Sequence, residues 1–227
     1  MKKLILIITP LILIFSSCKP DKVQEGELEY LITYPHTDIS GFMQAILPET
    51  MVITFKGSKM KTTIARGEIF STEIISDEAD NSMEMRLDFG DKLFYCVLDE
   101  NEVQEMISSQ PRYHIQSIIG QTDSVVGMLA NSYAVSCKND TIVRSDAWFT
   151  EDLAPVSAYW FTSYASIKGF PLIYDAERYG VLMHLEVLNL DKREVKDTEF
   201  ERDPALVEVT FEDYEAEVQE LFDILME

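Results

Sequence analysis

Positive charge is what this 227-residue sequence has least of. Lys and Arg number 19 against 40 Asp and Glu, a formal charge of −21. A nucleic-acid surface needs clustered Lys and Arg to replace the counterions of the phosphates, so nucleic acid is excluded as a partner. The same deficit excludes simple adsorption to anionic lipid head groups. Histidine and cysteine are scarce too, three of each. His36, His114 and His184 lie far apart, with no cysteine at metal-ligand spacing, so no metal site is expected. The acidic stretch Asp77-Glu78-Ala79-Asp80-Asn81 lacks the glycine and distal glutamate of a calcium loop and reads as a solvated turn. There is no C-x-x-C pair, no G-x-S-x-G elbow and no glycine-rich phosphate loop. No catalytic residue and no cofactor follows from the sequence, and the chain is expected not to be an enzyme.

Long apolar runs are also missing, with one short exception. Leu4 to Phe15 is uncharged and apolar, preceded by Lys2 and Lys3 and followed by Ser16, Ser17 and Cys18. The run falls short of the roughly 20 residues that cross a bilayer as a helix. Basic n-region, short apolar core and small residues are the order of a secretory signal. The ending Phe15-Ser16-Ser17-Cys18 resembles a bacterial lipobox, in which the cysteine is acylated and becomes the new N-terminus. The expected organisation is a lipoprotein signal peptide over 1–17, a tether over 18–25 and one domain over 26–227. Losing Lys2 and Lys3 with the leader takes the formal charge from −21 to −23. A body that anionic is held at a membrane by lipid on Cys18, not by its own charge. The expected location is the bacterial cell envelope, on the periplasmic face or the cell surface.

Two cysteines remain, Cys96 and Cys137, both in strand-like runs. An exported compartment permits a disulfide between them if their strands are neighbours. Two buried free thiols packing as small apolar groups is the other reading.

The rest of the chain reads mainly as strands. Leu28, Tyr30, Ile32 and Tyr34 alternate with Glu27, Glu29 and Thr33, the period of a half-buried strand. Further strands are expected over 50–56, 59–66, 68–75, 83–89 and 92–98, an antiparallel meander joined by Gly57-Ser58, Gly67 and Gly90-Asp91. More follow over 113–119, from 124 to 129, over 131–138 and 141–149, and at 172–174, 181–190 and 194–200. Helices are expected over 39–47, over 99–109 with Asp99 and Glu102 as a capping box, and over 211–225 behind Thr210. In the last, Phe211, Tyr214, Val218, Leu221, Phe222 and Leu225 share one face. Residues 153–168 read as a short helix or a loop. Their aromatics Tyr159, Trp160, Phe161 and Tyr164, with Trp148 and Phe149, form either core or the wall of a ligand site.

Four stretches carry a resemblance: Gly127-Met128-Leu129-Ala130, Tyr133-Ala134-Val135-Ser136-Cys137-Lys138, Asp146 through Leu153 around Trp148-Phe149-Thr150, and Lys168-Gly169-Phe170-Pro171-Leu172-Ile173. In that order they resemble a Bacteroidetes family of exported lipoproteins of unknown function, related to those with a GLPGLI signature. Gly127 stands further from Tyr133 than in that pattern, and Gly169 to Leu172 keep part of the signature. The resemblance implies a fold similar to the lipoprotein carriers of the Gram-negative envelope (LolA/LolB-like). That is a single antiparallel, incompletely closed half-barrel with two or three covering helices, whose cavity shelters acyl chains. It carries no site residues across. The expected function is non-catalytic binding of a hydrophobic ligand or acyl chain. The alternative is an accessory interaction module of an envelope complex, its protein partner undefined.

Overall fold

The structure, a computed structural model, describes residues 21–35, 46–67, 69–137, 144–155, 157, 159–178 and 180–226. The expected signal peptide, Cys18 and most of the helix expected over 39–47 lie outside the described residues. The chain is mainly β. Its strands are β1 (Glu25–Thr33), β2 (Thr50–Lys56), β3 (Lys59–Arg66), β4 (Phe70–Asp77), β5 (Ser82–Phe89) and β6 (Lys92–Leu98), then β7 (Tyr113–Val125), β8 (Met128–Cys137), β9 (Arg144–Thr150), β10 (Phe170–Arg178), β11 (Val181–Asp191) and β12 (Val207–Glu208). The described residues also hold helices α1 (Glu100–Ser109) and α2 (Phe211–Met226) and a 3-10 turn at Asp197–Phe200. All twelve strands join one unclosed sheet in the order β12-β6-β5-β4-β3-β2-β1-β11-β10-β9-β8-β7. Every pairing is antiparallel except β12 with β6, which makes the sheet mixed. Among the described residues no helix is long and apolar enough to cross a membrane.

The order follows from two meanders. One runs outward from β1 to β6; α1 then carries the chain to the opposite edge, and the second runs inward from β7 to β11, which closes on β1. Period-two alternation decides which face is apolar. Met51 pairs with Ile64, Ile64 with Thr72, Thr72 with Leu87 and Leu87 with Phe94, so these side chains form one row across the sheet. Their neighbours Lys61, Glu73 and Arg86 point the other way. Leu28, Tyr30 and Ile32 are buried as the alternation requires. Asp99 caps α1 through its side chain, which accepts from Glu102 N, while Glu102 returns a bond to Asp99 N at 2.8 Å.

Several expectations are corrected. Strand β7 runs on to Val125, and the strand expected to begin at Ser124 starts at Met128, because Val126 and Gly127 both take positive φ, 43° and 78°, as a tight hairpin turn needs. Of the two readings of 153–168, helix or loop, the described residues there follow the loop, as a string of turns. The strand seen in outline at 172–174 spans Phe170–Arg178. Val23 already forms a parallel bridge with Leu153, its N–H donating to Asp152 O at 2.8 Å, so the sheet claims the last residues of the expected 18–25 tether.

The strand expected over 194–200 is instead a strap across the polar face. Val195 is buried, and its N–H donates to Glu25 Oε2 at 3.1 Å. Lys56 holds Asp197 at 2.8 Å, and Arg193 holds Glu27 and Glu199 at 2.8 and 2.6 Å. Arg86 donates to the carbonyls of Phe200 and Glu201 at 2.9 and 3.0 Å. Arg202 pairs with Glu84 at 2.6 Å and lies over the Tyr95 ring. The strap ends as β12 beside β6. Thr210 then caps α2, accepting from Asp213 N at 3.1 Å, and α2 docks on the apolar face through Tyr214, Val218 and Leu221. Arg86 and Leu87 alternate, so strap and helix clasp the same strand from opposite sides.

These anchors make the strap sensitive to acid. The Arg193 guanidinium and the Lys196 N–H hold Glu199 at about 2. The bond from Lys56 lowers Asp197. For Glu84 burial pulls upward, but the bonds from Arg202 and Arg86 outweigh it and leave the group lowered. Each carboxyl therefore adds stability above its unfolded value of about 4, and that contribution is lost as pH falls toward the folded value. Arg193→Ala should lower the melting temperature at pH 6 and lose most of its effect near pH 2. A gap that stays constant between those pH values would remove these ion pairs from the account.

Candidate functional site

The apolar face of the sheet is not filled. Two cavities lie on it. The smaller, about 120 Å³, sits beneath α2. Its floor is Ile64, Ile74, Met85 and Leu87 from β3 to β5, and its roof is Tyr214, Val218, Leu221 and Phe222. The larger, about 780 Å³, opens between the C-terminal end of α1, the 159–164 turns and strands β2–β4, β10 and β11. Met51, Thr62, Tyr174, Ala176, Met183 and Leu185 are among its walls. Ile64, Ile74, Met183 and Arg178 line both, so the two spaces share a wall. The larger volume falls within the few hundred to roughly 1,000 Å³ typical of small-molecule sites.

The roof is fastened from three sides. The α1 terminus is tied to the turns through Gln110, whose Oε1 accepts from Ser163 N at 3.0 Å, and through Ser163 Oγ, which donates to Pro111 O at 2.5 Å. Helix α2 is tied to β10 by Arg178 with Glu215 at 3.2 Å and to β6 by Lys92 with Glu217. On the sheet side Tyr159 and Tyr174 share a hydroxyl bond at 2.7 Å, Tyr30 donates to Pro171 O at 2.6 Å, and Tyr164 donates to Asp175 O at 2.7 Å. Burial pushes all four phenols upward, so they remain neutral donors and the walls carry no titrating base from them.

Of the six aromatics singled out in the sequence, Tyr159, Phe161 and Tyr164 line the larger cavity. Phe149 is buried behind Tyr164, their centroids 5.7 Å apart. Trp148 alternates with Phe149 and faces the other way. Trp160 packs edge-on against Phe161 at 5.7 Å, outside both cavities, and its buried Nε1 has no hydrogen-bond partner among the described residues. Sequence reasoning missed Tyr113 and Tyr174. Tyr174 carried a signal in its strand alternation.

Cys96 and Cys137 do not stand on neighbouring strands. Eight strands separate β6 from β8 in the sheet, and both thiols are free. Cys96 is buried in β6, which pushes its thiol up to about 12 and makes it a poor nucleophile. Cys137 lines the larger cavity. In the acidic loop Asp77 accepts from Ser58 Oγ at 2.6 Å and from Ala79 N at 3.0 Å, so it shapes a turn. His184 Nδ1 pairs with Asp175 at 2.7 Å, and exposed His114 bonds Gln116 at 3.0 Å; His36 lies outside the described residues. Among the described residues no three His, Cys, Asp or Glu side chains converge as metal ligands would. The arrangement can take up an apolar chain and shield it from water. No protein-family model matches the chain, and no curated protein matches it.

Proposed function

We propose that this chain is an envelope lipoprotein, anchored through Cys18, whose incompletely closed half-barrel shelters a hydrophobic ligand or acyl chain without acting on it chemically. The observation that carries this reading is the pair of adjoining cavities on the apolar face, one beneath a helix and one open to solvent. Chain geometry supports the half-barrel. In a flat sheet β6 and β7, ten places apart in the order, would lie about 48 Å from each other at about 4.8 Å per strand. Helix α1 contributes about 15 Å, and residues 99 and 110–112 add about 13 Å. That reach suffices only if the sheet curls until its edges approach each other. Helices α1 and α2 then cover the hollow side, as an unclosed sheet with an apolar interior requires.

Native mass spectrometry of protein taken from its own membrane tests the reading. A bound species of lipid mass, released on denaturation, is the expected result. Protein that stays ligand-free under those conditions overturns it. The second reading, an accessory interaction module, draws on the far edge of the sheet, where Ile119 is 96 % exposed and Leu129 59 % at the β7–β8 hairpin.

A further inference from the structure

The mouth of the larger cavity carries one cation and one carboxylate that are not engaged. Arg112 follows the end of α1, Glu177 lies near the end of β10, and both line the cavity and are exposed. Among the described residues neither makes an ion pair or a side-chain hydrogen bond, with each other or with a third group. The other cation at the mouth, Arg178, is occupied by Glu215. Glu177 acts on its surroundings only at longer range, raising Tyr113 after burial has already done so. A hollow with an apolar wall on the sheet side and a polar rim thus carries two opposite charges that are not engaged.

We propose that the ligand is a zwitterionic amphiphile with a single acyl chain, its phosphate held by Arg112 and its ammonium by Glu177. This rests on reading the cavity as an acyl-chain site. The chain lies along Met51, Ile64, Ile74 and Met183, toward the space beneath α2. Three observations favour this class. A phosphate takes charge-assisted bonds from a guanidinium, and an ammonium gives them to a carboxylate. A chain of formal charge −21, or −23 without the leader, repels an anionic amphiphile, whereas a zwitterion approaches it without penalty. Volume admits a single chain. At about 30 Å³ per carbon, close to the share of one water, a chain of about sixteen carbons takes about 480 Å³, and the cavity of about 780 Å³ holds it together with a head group.

The purified full chain, stripped of bound lipid, is titrated calorimetrically with three probes of one chain length below their micellar concentrations. These are lysophosphatidylethanolamine, lysophosphatidylglycerol and a monoacylglycerol. The ethanolamine probe should bind about tenfold tighter than either of the others. Glu177→Gln should abolish its advantage over the glycerol-phosphate probe. Arg112→Gln should weaken both phosphate-bearing probes about tenfold and leave the neutral probe unchanged. Both residues are exposed, so neither variant threatens the fold. Equal binding of all three heads, or preference for the anionic one, overturns the head-group assignment and leaves the acyl-chain site standing. Binding of none of the three overturns the acyl-chain reading itself.

Discussion

Arg86→Met is expected to destabilise the protein by about 3–5 kcal/mol, the cost of removing one partner from a buried ionic network. Arg86 is 6 % exposed in the middle of β5. Its guanidinium holds Glu84 at 2.7 Å, Glu73 at 3.0 Å and the Phe200 and Glu201 carbonyls of the strap. Methionine keeps the length of the side chain and abandons all four acceptors. Glu84 retains Arg202, but Glu73 keeps only the long contacts to Lys61, at 3.5 Å, and Thr63 Oγ1, at 3.4 Å. At about 2–4 °C per kcal/mol for a domain of this size, the melting temperature should fall by about 10 °C. Limited proteolysis should also begin to cut between residues 192 and 206, because the strap loses its central fastening. Arg202→Ala is the contrast. Arg202 is about a third exposed and its acceptor keeps Arg86, so the expected loss is about 1 kcal/mol or less. Equal effects of the two substitutions would mean that the strap is not organised around Arg86.

Cys18→Ser is expected to move the protein from the membrane fraction to the soluble fraction. A side-chain charge of −23 after loss of the leader gives the body no affinity for an anionic bilayer surface. Acyl chains contribute about 0.8 kcal/mol for each buried methylene, and two or more make anchoring stable. Removing the acceptor thiol removes all of that at once. Fractionation of cells carrying the variant, checked by immunoblot, reads the result directly. Retention in the membrane pellet would mean that a protein partner or the leader itself holds the chain there.

Much of the fold was legible because alternation is a local signal. Met83, Met85 and Leu87 against Glu84, Arg86 and Asp88 specify both the strand and its buried face, and β2, β3 and β6 have the boundaries read from the sequence. The capping box at Asp99 and the Thr210 start of α2 were legible for the same reason, since each cap is a four-residue pattern. What failed depends on residues far apart in the chain. Residues 194–200 alternate like a strand, yet Arg193, Lys56 and Arg86 engage them as a strap, and no window of the sequence contains all of those partners. Strand β7 runs past Ile119 with little buried against it, so its length had no hydrophobic signature. The site was legible only in part. Phe161 and Tyr164 stood out as aromatics, but the cavity they line draws walls from β2, β3, β4, β10 and β11, and the order that brings β11 beside β1 is set by the closing of two meanders. Arg112 and Glu177 are 65 positions apart in the sequence, and nothing near either marks it as the rim of a cavity.

The account depends on the hollow above the sheet being a place where an acyl chain resides. Ala176 lies on its wall with no side-chain hydrogen bond to lose, so Ala176→Trp fills the space and leaves the strap and both helix caps untouched. The most direct measurement is binding of a fluorescent single-chain fatty acyl probe to the wild-type protein and to this variant, with melting curves to confirm that both are folded. The account predicts saturable one-to-one binding by the wild type and its loss in the folded variant. Undiminished binding by Ala176→Trp, or none by the wild type, would contradict it.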